Sequence, residues 1–383
     1  METLNNKMIE WRRHFHAHPE VSFQEFETAN YIYEKLEAMN VYRLERLTPT
    51  SVIATLKGKE PGLTIALRAD IDALPIFEEA DVEFRSKVDG VMHACGHDTH
   101  ATMLLGTAEI LSTMQDQIKG TVKLIFQHAE ELPPGGASEL VAKGVMDDVD
   151  LVFGQHIFPM MPTGSITLYD GIMTAASDIF EIKLKGKGAH GSMPHLALDP
   201  IMSGAKIVSS VNALVSQRVN AFDHATISFG SFTAGNAPNI IPDSATLSGS
   251  VRTLNAEVRT QIEADIKAIV EHTSAMDHLE AEVIYTHGYA PIVNDEKAMH
   301  YVKAAALDVV GEAHIAQGQT MMVSEDFSAY LSKAPGAFFA LGGGEAKDGY
   351  GYINHHPKFK VDEDAMMIGV RMFVSLIEQL LVK

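Results

Sequence analysis

Between Met92 and His100 the chain places Cys95 and His97 two positions apart, with His93 and His100 on either side. From a tight glycine-containing turn both can face one point, and thiolate with imidazole suits Zn²⁺, Ni²⁺ and similar transition ions. Read alone, the segment fits a buried cysteine beside solvated histidines equally well. A second cluster follows at 124–131, where an apolar run ends in Glu130-Glu131 just before Pro133-Pro134-Gly135-Gly136. Adjacent carboxylates that diverge can divide labour, one holding a metal and the other taking a proton from water. Alone, such a pair is more often solvated surface. Two further signals have the same form: Val152-Phe153-Gly154-Gln155-His156, and Tyr352-Ile353-Asn354-His355-His356-Pro357 after a run of three glycines. Together they put cysteine, histidine and glutamate at consecutive strand ends of one sheet, where α/β folds gather functional groups and a dinuclear metal site can assemble.

The elements that must carry these groups are legible from periodicity. Helical spacing over 3–18 (Leu4, Met8, Trp11, Phe15) closes at Pro19, and a second helix is expected over 23–39. Short β-rich runs at 51–56, 64–67, 121–126 and 150–154 then alternate with a helix over 99–114, for which Asp98 is a plausible N-cap. This alternation indicates an α/β domain with a central, mostly parallel sheet. After about residue 176 the texture changes to strand, helix, strand, strand, helix, strand, the split βαβ order of a ferredoxin-like α+β module. The first texture resumes in helices at 295–309 and 362–381 and a strand near 337–341. The reading is one α/β domain built from 1–176 and 289–383, interrupted by an inserted module at 177–288.

Composition narrows the function classes. With 30 basic and 50 acidic residues the formal charge is −20, which disfavours nucleic acid and anionic membrane as partners. The single cysteine excludes an intrachain disulfide. No signal-peptide-like run and no 18 consecutive apolar residues occur, so a cytoplasmic protein without a membrane span is expected. His14, His16 and His18 read as a helix end before proline rather than as a metal site. Gly186-Lys187-Gly188 lacks the Lys-Ser/Thr ending of a phosphate loop. Ser324-Glu325-Asp326 reads either as a helix cap or as a carboxylate supporting the site.

The ordered set RADIDALP (68–75), HACGHDTH (93–100), AEE (129–131), FGQH (153–156), GKGAHGSMPH (186–195), APNIIPDSATLSGSVRT (237–253), SEDF (324–327) and NHHP (354–357) resembles the M20 metallopeptidase family. More narrowly it resembles the amidohydrolase branch, which includes aminoacylases and N-acetyl-diaminopimelate deacetylases, and the likeness extends back to Arg12–Glu25. The resemblance implies a zinc-peptidase-like catalytic domain with a lid and dimerisation module, and two divalent metal ions (Zn, Ni, Mn or Co). It implies Cys95, His97, Glu131, His156 and His355 as metal ligands, Glu130 as general base, and Asp70 as a catalytic aspartate. His190 would reach over a neighbouring subunit's site to stabilise the oxyanion, while Asn239 and Arg252 would hold the substrate carboxylate. A homodimer or homotetramer through the inserted module follows from the same likeness. Two positions depart from the branch: His128 stands where proline is usual, and Leu132-Pro133 where glycine is commoner.

The implied activity is a metal-dependent amidohydrolase that cleaves small N-acyl, foremost N-acetyl, amino acids through a metal-bound water with Glu130 as base. The alternatives are a di- or oligopeptidase of the same fold, and a non-catalytic metal- or ligand-binding relative. The presence of Glu130 argues against the last, because a binding protein needs no base beside its metals.

Overall fold

In the computed structural model, which describes residues 2–382, the chain begins with α1 (Glu2–Ala17), α2 (Phe26–Ala38), β1 (Arg43–Glu45), β2 (Val52–Lys57), β3 (Glu60–Asp70) and α3 (His97–Ser112). It continues with β4 (Lys119–Gln127), α4 (Gly136–Ala142), β5 (Leu151–Phe158) and β6 (Ile166–Leu168). Then come β7 (Ala176–Lys185), β8 (Ala189–His190), α5 (Pro200–Arg218), β9 (Ala225–Ala234), β10 (Ile240–Ile241), β11 (Ser244–Thr253), α6 (Ala256–Met276) and β12 (Glu280–His287). The last stretch holds α7 (Glu296–Val309), β13 (Ile315–Gln317), α8 (Ser328–Leu331), β14 (Gly336–Gly342) and α9 (Ala365–Ile377). Two compact units result. One runs to Met173 and adds Ile292–Thr320 and everything from Asp326 onward; the other is Thr174–Pro291 with Met321–Glu325.

The first unit is built on an eight-stranded sheet of order β1-β2-β4-β3-β5-β14-β6-β13. Its centre is parallel, β3 pairing with both β4 and β5, and β14 with β5. Val122, Leu124, Ile125 and Phe126 of β4 are all fully buried, as expected of a strand covered on both faces. Helix α3 is buried almost all round and packs against α1 and α9. A Cβ added at Gly369 of α9 would lie 2.1 Å from the Met103 sulfur of α3, so glycine is what permits that approach. The helical stretch Ala365–Val382 has a mean hydropathy of 1.7 and is long and apolar enough to span a membrane on those criteria alone. Its Met366, Val370, Phe373, Leu376 and Ile377 belong instead to the buried core.

The second unit is a four-stranded antiparallel sheet of order β12-β7-β11-β9. Along β7, Phe180, Ile182 and Leu184 point into the core while Ile179, Glu181 and Lys183 point away. The core is completed by Ile207 and Val211 of α5 and by Ile262 and Ile266 of α6. Asp199 caps α5 by accepting from the Ile201 and Met202 amides, and Pro200 occupies the first helical turn. A separate two-stranded ribbon joins β8 to β10.

Two local expectations are corrected. Helix α2 starts at Phe26, not 23, because Phe23 sits at φ 65° and cannot enter a right-handed helix. Asp98 does not cap α3. Left-handed Gly96 (φ 94°) takes the N-cap position, and Asp98 enters the first turn, where Arg12 and His16 engage its carboxylate.

Candidate metal centre

The parallel strands deliver their ends to one place. Asp70 is the last residue of β3 and Asp72 follows it. Glu130 and Glu131 follow β4, His156 lies in β5, and His97 opens α3. The loop carrying His355 is tied to the Cys95 loop by the His355 amide, which donates to Ala94 O at 2.8 Å, and by Asn354 Nδ2, which donates to Cys95 O at 3.1 Å. As a result Cys95, His97 and His156 offer donor atoms within 4.8 Å of one another. So do Cys95, Glu131 and His355, and likewise His97, Glu130 and Glu131. The structure therefore gathers all five residues for which the sequence suggested metal ligation, with Glu130 among them. His190, Asn239 and Arg252 belong to the second unit.

Hydrogen bonds sort the histidines by which nitrogen is left to bind. His97 Nδ1 faces Asp72 O at 3.0 Å and Asp72 Oδ1 at 3.1 Å, so it carries a proton and donates it. Its Nε2 is buried without a hydrogen-bond partner. His156 Nδ1 donates to Ile157 O at 2.7 Å, and its Nε2 lies 3.4 Å from Cys95 Sγ. Both rings present Nε2, the arrangement in which a backbone or carboxylate acceptor fixes a metal-binding imidazole. His100 differs. Its Nδ1 donates to Asp70 Oδ1 at 2.6 Å while its Nε2 accepts from the Ile157 amide at 2.9 Å, so no nitrogen is left for a cation.

Charge points the same way. Burial alone would lower the His97 pKa, but Asp70, Asp72 and Glu131 outweigh it and raise it to about 10. A position that draws a proton so strongly draws a metal cation for the same reason. Burial, then Glu131, Glu130 and Asp70, push the Cys95 thiol well above its usual range. A thiolate in this surrounding requires a positive partner. The buried Nε2 of His97, which has no hydrogen-bond partner, and Oε1 of Glu131, which lies 3.0 Å from His355 Nε2, form with the nearby sulfur a mixed S/N/O donor set that fits a divalent transition ion.

Beneath the donors lies a buried ionic scaffold. Arg68 donates to Asp70 Oδ2 (2.6 Å), Gln127 Oε1 (2.7 Å) and Asp326 Oδ1 (2.7 Å), all at no more than 1% exposure. Asp326 also accepts from Gln127 Nε2 and the Ala137 amide, and Tyr330 Oη donates to Gln127. Of the two readings open for the 324–326 segment, the supporting carboxylate is the one seen, because α8 has no side-chain cap. Arg12, Asp98, His16 and Glu78 form a second buried ionic group that pins α1 to the start of α3.

In the second unit, His190 is exposed on the β8–β10 ribbon. Its Nδ1 accepts from the Ser192 amide at 3.2 Å, which leaves the ring proton on Nε2, free to donate. Arg252, on β11, is half-buried and its Nη1 is buried without a hydrogen-bond partner. Asn239 is exposed beside the ribbon, its carbonyl accepting from the Gly191 amide at 2.8 Å. The departure at 128 is accommodated by packing: His128 is buried, its ring edge meets Phe23, and its Nε2 lies 3.2 Å from Glu139. Leu132 is exposed and opens a turn closed by the Gly135 amide. Sequence reading passed over Asp72, His100 and Arg68 as individual residues. The alternation of acids in Arg68-Ala69-Asp70-Ile71-Asp72 was the available signal.

The sequence profile of peptidase family M20/M25/M40 matches residues 66–379. An N-acyl-L-amino acid amidohydrolase of Geobacillus stearothermophilus is 45% identical over 294 residues, covering 77% of this chain and 80% of the relative. Thermostable carboxypeptidase 2 of Saccharolobus solfataricus is 38% identical over 372 residues, 96% of this chain and 94% of the relative. Among solved structures, a dinuclear metal binding peptidase from the M20 family, from Bacillus subtilis, superposes with a TM-score of 0.86 at 34% identity, covering 99% of each chain.

Proposed function

Because the chain belongs to peptidase family M20/M25/M40 and is a metal-dependent amidohydrolase, we propose that it cleaves small N-acyl amino acids, foremost N-acetyl ones, into a carboxylate and a free amino acid. The observation that carries this reading is the convergence of Cys95, His97, Glu131, His156 and His355 with Glu130 in their midst. These five side chains would hold two divalent ions of the Zn, Ni, Mn or Co group. When bound, such ions acidify water and polarise an amide carbonyl.

The remaining work falls to the chain's own groups. Glu130, 7% exposed, takes the proton from the attacking water and returns it to the departing amine. Glu131, engaged as a ligand, leaves that role to its neighbour. Asp70 is held by Arg68 on one oxygen and by His100 on the other, so it orients the floor of the site without moving. His190, with its proton on Nε2, donates to the developing oxyanion of a neighbouring subunit's substrate. Arg252 supplies a guanidinium with an unused Nη1 for the substrate carboxylate, aided by Asn239. This assignment makes the active form a homodimer or homotetramer joined through the second unit.

The deciding experiment is a metal-supplemented hydrolysis screen over N-acyl amino acids and dipeptides. Acetate release from N-acetyl amino acids, abolished by chelation and restored by a divalent ion, is the expected result. Dipeptide cleavage without deacylation would overturn the substrate assignment in favour of a peptidase. The likeness to the Saccharolobus carboxypeptidase keeps that second reading in view.

A further inference from the structure

The segment between α1 and α2, residues 19–25, supplies no group to the chemistry above, yet it reaches the Glu130–Glu131 turn directly at one point and through Asp72 at another. Glu25 is fully buried. Its Oε1 accepts from the Ala129 amide at 2.7 Å, 104 positions along the chain, and its Oε2 is buried without a hydrogen-bond partner. Ala129 sits at φ 50°, a left-handed conformation that L-residues rarely adopt, directly ahead of the two glutamates. Three residues earlier in the same segment, Ser22 Oγ donates to Asp72 Oδ2 at 2.7 Å. That oxygen also accepts the Glu131 amide at 3.0 Å, while Oδ1 meets His97 Nδ1. Val21 pairs with Ala73, so the segment is anchored to the strand end that carries Asp72. Burial, with a contribution from Asp72, raises the Glu25 carboxyl to about 8, which suits a neutral acceptor in this setting.

We propose that Glu25 is a positioning residue: its buried carboxyl holds the Ala129 amide and so fixes the left-handed turn that aims Glu130 at the substrate and Glu131 at the metal. The proposal rests on the roles given above to those two glutamates. Glu25 touches no reacting atom, and its whole effect passes through the backbone at 129.

The test uses three variants at position 25 and one at 129. Glu25→Leu removes the acceptor at similar volume, and Glu25→Asp withdraws it by one methylene. Glu25→Gln keeps a neutral oxygen acceptor. Losing a supporting partner of this kind costs about 10–100-fold. Glu25→Leu and Glu25→Asp should each lower kcat within that range, with KM changed less than about twofold. Both should also weaken Zn²⁺ affinity by about tenfold, read by competition with a chromophoric chelator, whereas Glu25→Gln should stay near wild type. Glycine adopts a positive φ without steric cost, so adding Ala129→Gly to Glu25→Leu should restore part of both losses. A role in overall stability alone would show no such rescue. Wild-type kcat and Zn²⁺ affinity in Glu25→Asp would overturn the proposal even if the leucine variant failed to fold. A loss in Glu25→Gln equal to that in Glu25→Leu, or no rescue by Ala129→Gly, would also overturn it. Glu130→Gln assayed in parallel separates the layers. Normal turnover there sinks the base assignment, whereas Zn²⁺ binding still reports on Glu25.

Discussion

Cys95, His97 and His156 are at most 8% exposed and are surrounded by side chains that are themselves locked. His190 and Asn239, by contrast, stand exposed on or beside a ribbon only two residue pairs long. These two sets of polar groups are thus held in opposite ways. Donors for a cation must hold their geometry before the cation arrives, so the first unit spends buried ion pairs on fixing them. The groups proposed to meet the substrate keep hydrogen-bonding capacity in hand instead: Arg252 Nη1 is buried without a partner, and exposed His190 has Nε2 left to donate. Damage to the donors and their scaffold should therefore show in metal content and stability, and damage to Arg252 or His190 in substrate kinetics alone.

The largest effect is expected from Glu130→Gln, which should lower kcat by about 10²–10⁴-fold while elemental analysis finds the metal content unchanged. Intact turnover in that variant would break the assignment of the base. Next is Arg68→Met, which takes from the buried carboxylates of Asp70 and Asp326 the cation they share. Breaking a buried pair in this way costs about 3–5 kcal/mol, to be read from urea unfolding. A change within experimental scatter would mean that the scaffold does not need its cation. Cys95→Ser should weaken Zn²⁺ retention by at least about tenfold, since supporting partners alone carry that much. Unaltered metal content would remove the sulfur from the ligand set. The smallest effect, and the sharpest contrast, is Arg252→Lys. KM should rise about tenfold through loss of a two-pronged grip on carboxylate, with metal content and melting temperature as in wild type. A drop in either would erase the distinction between the two sets of groups.

Cys95, His97, Glu130, Glu131, His156 and His355 were singled out because they lie in motifs that resemble those of the M20 family, and the structure brings their donor atoms close to one another. The split βαβ order was legible from its elements: β7 alternates cleanly and α5 and α6 carry side-chain caps. What escaped depends on contacts between distant segments. His100 resembles a ligand in sequence, and only the Ile157 amide at its Nε2 rules it out. Glu25 and Asp72 owe their roles to partners 104 and 59 positions away. The expectation of a cap at Asp98 failed because buried Arg12 offered its carboxylate a stronger partner than the helix start. β6 and β13, three residues each, are too short to show any period.

The place of β14 in the sheet has a consequence for the order in which this protein is made. β14 lies between β5 and β6, yet β6 ends at 168 and β14 ends at 342, so 342 − 168 = 174 residues must be translated before the gap is filled. At roughly 5–20 residues per second that interval is on the order of ten to thirty seconds. The whole of Thr174–Pro291 leaves the ribosome within it. Cys95, His97, Glu131 and His156 are then already synthesised, and His355 lies 355 − 342 = 13 residues beyond the end of β14. Closure of the sheet and completion of the donor set are thus nearly one event, late in synthesis, and the nascent chain carries an open strand edge until it happens.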